Sequence, residues 1–103
     1  MSIDYGSFNT ALEAAAGDDV SLAEELRGDF IASALRQISL LTRSRCDANW
    51  QYAAYRLKGL AGSFGAVRII ELADEALEGA PSDPVVVRKL EAAIAEIEKH
   101  PLG

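Results

Sequence analysis

Apolar residues recur every three to four positions along most of this chain, the period of helix rather than strand. Breaks fall at Gly17-Asp18-Asp19, Arg45-Cys46-Asp47, Gly65, and Gly79 through Pro84, each gathering Gly, Pro or Asp. They leave a short leader and four longer segments. The leader, from about Asp4 to Ala16, sets Phe8 and Leu12 four apart and stops at Gly17, the pattern of a short amphipathic helix. The second segment opens with Ser21 and Glu24 at capping-box spacing. Leu22, Leu26, Phe30, Ala34, Ile38 and Leu41 then form one apolar stripe. Ile31 and Leu35 make a second patch off that stripe, read in part as cover for Phe8 and Leu12 and otherwise as a docking surface.

The third segment runs from Asp47, the expected N-cap, to Phe64. Its stripe is Trp50, Ala53, Ala54, Leu57, Leu60, Ala61 and Phe64. The fourth, Ala66 to Glu78, is expected to bury Ala66, Ile69, Ile70, Ala73 and Leu77, and stops at Gly79. The fifth has Asp83 as N-cap and Pro84 at its first helical position. It buries Val86, Leu90, Ala93, Ile94 and Ile97 and ends at His100-Pro101. The pattern predicts an all-α fold: an antiparallel four-helix bundle with a short leading N-terminal helix. One domain is expected over 1–103, with the leading helix in 1–17 and the bundle in 18–99. Met1 and the leader are read as the start of a complete chain.

Length and charge narrow the possibilities. A chain of 103 residues is one domain long, and should bury roughly 65% of its unfolded surface. Ten Lys and Arg stand against 16 Asp and Glu, a net charge of −6. That balance argues against nucleic acid, which needs a basic footprint, and against electrostatic docking on anionic membrane. Cys46 is the single cysteine, so no internal disulfide forms. No stretch has the length and apolarity of a membrane span, and no signal peptide is visible. The expected location is the cytoplasm.

Most enzyme chemistry lacks its residues. His100, the one histidine, sits beside Pro101 at a helix end. No Cys/His cluster has zinc spacing and no Glu-x-x-His pair offers a di-iron site, so neither metal nor cofactor is expected. Gly59, Gly62 and Gly65 do not follow a strand and lack the Gly-Lys-Ser/Thr ending of a phosphate loop. Glu24, Glu25, Asp29, Asp74, Glu75 and Glu78 are expected on solvated faces. Cys46 has Arg43 and Arg45 near it, surroundings that can activate a thiol; the simpler reading is a bystander.

The third helix carries the informative face. At about 100° per residue its apolar stripe turns Gln51, Tyr52, Tyr55, Lys58, Gly59 and Gly62 outward. Glycine inside a helix costs about 1 kcal/mol relative to alanine. Two such losses on one exposed face need a reason. Close helix packing would place them on the inner face; access for a partner places them on the outer one, beside Tyr55 and Lys58.

The stretch Ala54-Tyr55-Arg56-Leu57-Lys58-Gly59-Leu60-Ala61-Gly62-Ser63-Phe64-Gly65-Ala66 closely resembles the motif of histidine-containing phosphotransfer (HPt) domains. The resemblance extends from about Asp18 to about Glu98. It implies a four-helix bundle whose histidine relays phosphoryl groups to and from receiver-domain aspartates. It further implies that Lys58 lies beside the incoming phosphoryl oxygens and that Gly59 and Gly62 give the receiver room to approach. The position of the phosphorylated histidine, however, holds Tyr55. Neutral imidazole is nucleophilic near pH 7, whereas a phenol titrates near about 10 and its phosphate ester is a poor donor to aspartate.

Three readings follow. The preferred one is a degenerate HPt-like signalling module, not an enzyme, that docks a receiver domain of a response regulator or hybrid histidine kinase without accepting phosphate on histidine. The second is an active phosphotransfer protein, using Tyr55 or having lost its histidine by a single base change. The third is a helical scaffold without a signalling role.

Overall fold

The computed structural model describes residues 5–100. The helices are α1 (Tyr5–Ala16), α2 (Val20–Arg43), α3 (Asp47–Ser63), α4 (Val67–Glu78) and α5 (Pro84–Lys99). No strand occurs among the described residues. The expected helix start near Asp4 and stop at Pro101 lie partly outside them.

Each break has a local cause. Gly17 closes α1 with φ of +65°, a left-handed conformation that glycine adopts without penalty, and its N–H donates to the Glu13 carbonyl at 2.8 Å. Gly65 turns α3 into α4 with φ of +64°. A Cβ there would also stand 3.0 Å from the Ser7 carbonyl oxygen, so the α1 backbone comes close only because Gly65 has no side chain. Asp83 caps α5 by accepting from the Val85 N–H at 2.9 Å, with Pro84 starting the helix.

α2, α3, α4 and α5 close a ring of contacts: α2 packs on α3 and α5, and α4 on α3 and α5. α1 lies on α2. Phe8 reaches between helices, its ring centroid 5.0 Å from Phe30 and 6.4 Å from Phe64, with Phe30 and Phe64 5.1 Å apart. Leu12 is fully buried. The core is otherwise aliphatic around Trp50, and among the described residues no polar or charged residue is fully buried.

Two side chains tie helices by donating to carbonyls at helix C-termini, where the intrahelical ladder runs out. The indole N–H of Trp50 donates to the Ala76 carbonyl of α4 at 2.8 Å, deep in the core. Arg27 of α2 donates to the Ile97 carbonyl and, at 3.2 and 3.4 Å, toward those of Glu98 and His100, setting a cation on the negative end of the α5 dipole.

Several details depart from the sequence expectation. The cap of α2 is Asp19, which accepts from the Leu22 N–H at 3.0 Å; Ser21 lies inside the helix. Leu22 is exposed and Ala23 takes its place in the core. A strict four-residue repeat drifts about 40° per step around a helix, so the series that reaches the core at Phe30 and Ala34 points aside by Leu22. Leu35 is also exposed, and Ile31 packs only partly against the core. Phe8 also packs against the rings of Phe30 and Phe64. In α3 the N-cap is Cys46, whose carbonyl accepts the first helical bond from Trp50 at 3.2 Å; Asp47 begins the first turn. In α4, Leu72 and Ala76 take the innermost positions with Ile69 and Ala73, while Ile70 and Leu77 flank them half-buried. Among the described residues no helix is long and apolar enough to cross a membrane.

Trp50→Phe tests the buried hydrogen bond. The change leaves the Ala76 carbonyl without its donor, a loss of about 1–3 kcal/mol. Urea denaturation is expected to show a lowered midpoint with an unchanged slope; an unaltered midpoint would mean that the bond contributes nothing net.

Candidate functional site

α3 is held by its inner side. Trp50, Ala53, Ala54, Leu57 and Ala61 are all buried, and the alanines keep that side flat against the neighbouring helices. With this side fixed, the helical period turns the opposite residues to solvent. Tyr55 is 67% exposed and Tyr52 60%. Gln51, Gly59 and Gly62 are exposed as well, and Lys58 is half-buried at the edge toward α4. The structure thus brings all six residues singled out from the sequence onto one outward surface.

The glycines leave real space. A Cβ built on Gly59 or Gly62 meets no heavy atom within 4 Å, so helix packing does not require either. Gly28 of α2 is equally open, which shows that open space alone does not mark a site. What distinguishes Gly59 and Gly62 is their place, four and seven residues after the exposed Tyr55 on the same surface.

The two cations of α3 are both engaged. Lys58 Nζ lies 2.7 Å from an Asp74 carboxylate oxygen of α4. Its ammonium is held above the ordinary lysine range, first by the hydrogen bond to Asp74 and then by that carboxylate's charge; Tyr55 and Glu78 add smaller effects in the same direction. Arg56 donates to the Tyr52 hydroxyl at 2.8 Å and sits 5.4 Å from the centre of that ring.

Asp74 is the residue that sequence reasoning missed. It was expected on a solvated face with Glu24, Glu25, Asp29, Glu75 and Glu78. Its side chain is 40% exposed, as expected, but it pairs with Lys58 across to α3, while the other five are exposed and one of them, Glu75, bridges to Lys89 at 3.1 Å. The periodicity of one helix cannot reveal such a pair, which depends on how α4 is rotated against α3. Cys46 is exposed, and His100 lies at the end of α5, its Nδ1 2.8 Å from the Glu96 carbonyl oxygen. Two clefts, one beside the α1–α2 turn at Asn9, Glu13 and Asp19 and one beside Trp50, Ser82 and Val87, include no residue of the Tyr55 surface.

No protein-family model, no curated protein and no solved structure matches the chain.

Gly59→Ala and Gly62→Ala test whether the glycines serve the fold. Each is expected to raise the unfolding free energy by about 0.5–1 kcal/mol, since alanine is the better helix former and meets open space. Chemical denaturation measures this; a destabilised variant would give the glycine a packing role.

Proposed function

We propose that this chain is a degenerate HPt-like module: a four-helix bundle, with α1 as an added helix, that docks a receiver domain through the outer face of α3 without taking up its phosphoryl group. The observation that carries this reading is the row Tyr55, Gly59 and Gly62, a large exposed side chain followed by two glycines that no neighbour in the fold requires. The ring of contacts among α2, α3, α4 and α5 supports the bundle.

Tyr55 supplies contact area rather than a nucleophile. An exposed tyrosine is a rigid, amphipathic anchor suited to a protein interface. Transfer from a receiver aspartate would break the bond between phosphorus and carboxylate oxygen and form one to the acceptor. At Tyr55 the product would be a phenyl phosphate ester, too stable to return its group to a carboxylate, so a reversible relay stops there. The surroundings also weigh against transfer, because the Lys58 ammonium that would steady the phosphoryl oxygens is already held by Asp74.

Against an unrelated scaffold, the docking reading gives Gly59 and Gly62 a reason through their place beside the exposed Tyr55.

The test fills the space. Gly59→Leu and Gly62→Leu should fold at least as well as the parent yet overpack the interface. An overpacking cost of about 1–3 kcal/mol corresponds to a Kd weakened by about fivefold to a hundredfold. Calorimetric titration with the isolated receiver domains of the source genome measures this, and incubation with the phosphorylated receiver should leave the parent unlabelled. Undiminished binding of the leucine variants would remove α3 as the dock, and label at Tyr55 would restore an active role.

A further inference from the structure

We propose that the outward side of α2 and α3 is a basic ridge that seats an acidic protein surface, with Arg36, Arg43, Arg45 and Arg56 meeting its carboxylates and Tyr52 and Tyr55 meeting the apolar ground between them. This partner is the one that docks on the outer face of α3, so the inference rests on that reading; the partner gains a chemistry, and the contact extends onto α2.

The charges of this chain are segregated. Residues 36–68 hold six of the ten Lys and Arg but only one of the 16 Asp and Glu, Asp47, a local charge of +5. In the rest of the chain the remaining four cations face 15 acids, a net of −11. Lys58 pairs with Asp74, and Arg68 lies 3.7 Å from Glu71. Arg36, Arg43, Arg45 and Arg56 are exposed, and none forms an ion pair with a described carboxylate. Arg36 donates to the Ser33 hydroxyl at 3.1 Å, Arg43 toward the Ser39 carbonyl at 3.4 Å, and Arg56 to the Tyr52 hydroxyl. Neutral partners orient a guanidinium and leave its charge uncancelled. Arg43, in the last turn of α2, complements the helix dipole. Arg36 and Arg56 stand in helix interiors, where the dipole gives no such return.

The fold gathers these residues. α2 and α3 are joined by the short turn at 44–46 and pack along their length, with the Phe30 and Phe64 rings still 5.1 Å apart at the far end, so the two run antiparallel. Counted from Cys46, Arg36 and Arg56 each stand ten residues away, at one level. Each follows a fully buried alanine, Ala34 or Ala54, by two residues, about 200° round its helix, and so points away from the core. Arg43 and Arg45 lie at the turn, and Arg36 to Arg43 spans about 10 Å along α2. The borders are of the other sign: Asp29 stands about two turns before Arg36 on α2, and Asp74 and Glu78 lie on α4.

A ridge this short inside an acidic molecule fits a compact acidic surface. It attracts and orients such a partner, while the exposed tyrosines supply anchors typical of protein interfaces. A nucleic-acid strand would carry its charge past both ends of the ridge onto the acidic remainder.

The 15N-labelled full chain is titrated at low salt with three probes of equal charge: a short glutamate peptide carrying two phenylalanines, a pure glutamate peptide, and an oligouridylate. The phenylalanine-bearing peptide should bind tightest, with amide shifts centred on Arg36, Arg43, Arg45, Tyr52, Tyr55 and Arg56. Arg36→Gln and Arg56→Gln, at exposed positions clear of the core, should each weaken it by about twofold to fivefold. Added salt should weaken it further. Absent binding, shifts centred elsewhere, or binding unmoved by both variants would overturn the inference. Equal binding of the pure glutamate peptide would overturn the part given to the tyrosines, and tighter binding of the oligouridylate would replace the protein partner with nucleic acid. Receiver domains titrated alongside separate this inference from the docking reading. Peptide binding at the ridge with no receiver bound would remove the receiver and leave the ridge. A receiver held at α3 with an affinity that ignores Arg36→Gln and Arg56→Gln would keep the dock and remove the ridge.

Discussion

The rotation of α3 about its own axis is the constraint on which the rest depends, and Trp50 fixes it. A fully buried indole cannot be turned toward solvent without giving up the largest side chain of the core. Its N–H reaches the carbonyl of Ala76 in the last turn of α4, one of the groups that a helix end cannot satisfy by itself. Volume and hydrogen bond together select one phase of α3 against one position along α4. Ala53, Ala54, Leu57 and Ala61 repeat that choice down the helix at three- and four-residue intervals.

Once the phase is set, the outward surface follows without further information. Tyr55 stands opposite the buried stripe, Gly59 and Gly62 extend the same side, and Lys58 falls at the edge toward α4 where Asp74 meets it. The glycines reduce the intrinsic helical stability of α3, and the packed inner side offsets that loss. Gly59 and Gly62 give up helix stability without a packing return and share their side of α3 with the exposed Tyr55, which is why the proposed dock is placed there. The ion pair between Lys58 and Asp74 marks the α4 edge of this surface; exposed pairs contribute little to folding.

Much of this was legible in the sequence because it is local. The breaks at Gly17 and Gly65 demand a left-handed residue, and Asp83 with Pro84 starts a helix by its own chemistry, so the five helices could be placed from short-range signals. The stripe of α3 was legible too, since its steps of three and four keep to one side. What escaped was tertiary or cumulative. Leu22 followed a four-residue repeat whose angular drift only matters once the core direction is known. Ile70 and Leu77 yielded the innermost places to Leu72 and Ala76 because both sets are periodic, and only the neighbours of α4 choose between them. Ser21 and Asp47 are good capping residues displaced by one or two positions, by Asp19 and Cys46 respectively. Asp74 looked like any surface carboxylate until α4 was set against α3.

The central claim is that a partner comes down on the outer side of α3, and amide chemical shifts of the 15N-labelled chain during titration with a receiver domain test it most directly. The account predicts that the largest changes fall at Gln51, Tyr52, Tyr55, Gly59 and Gly62, with Lys58 and Asp74 at their edge, while the buried stripe from Trp50 to Ala61 responds less. Changes centred instead on the exposed apolar residues of α2, such as Leu35 and Leu40, with α3 unmoved, would contradict it.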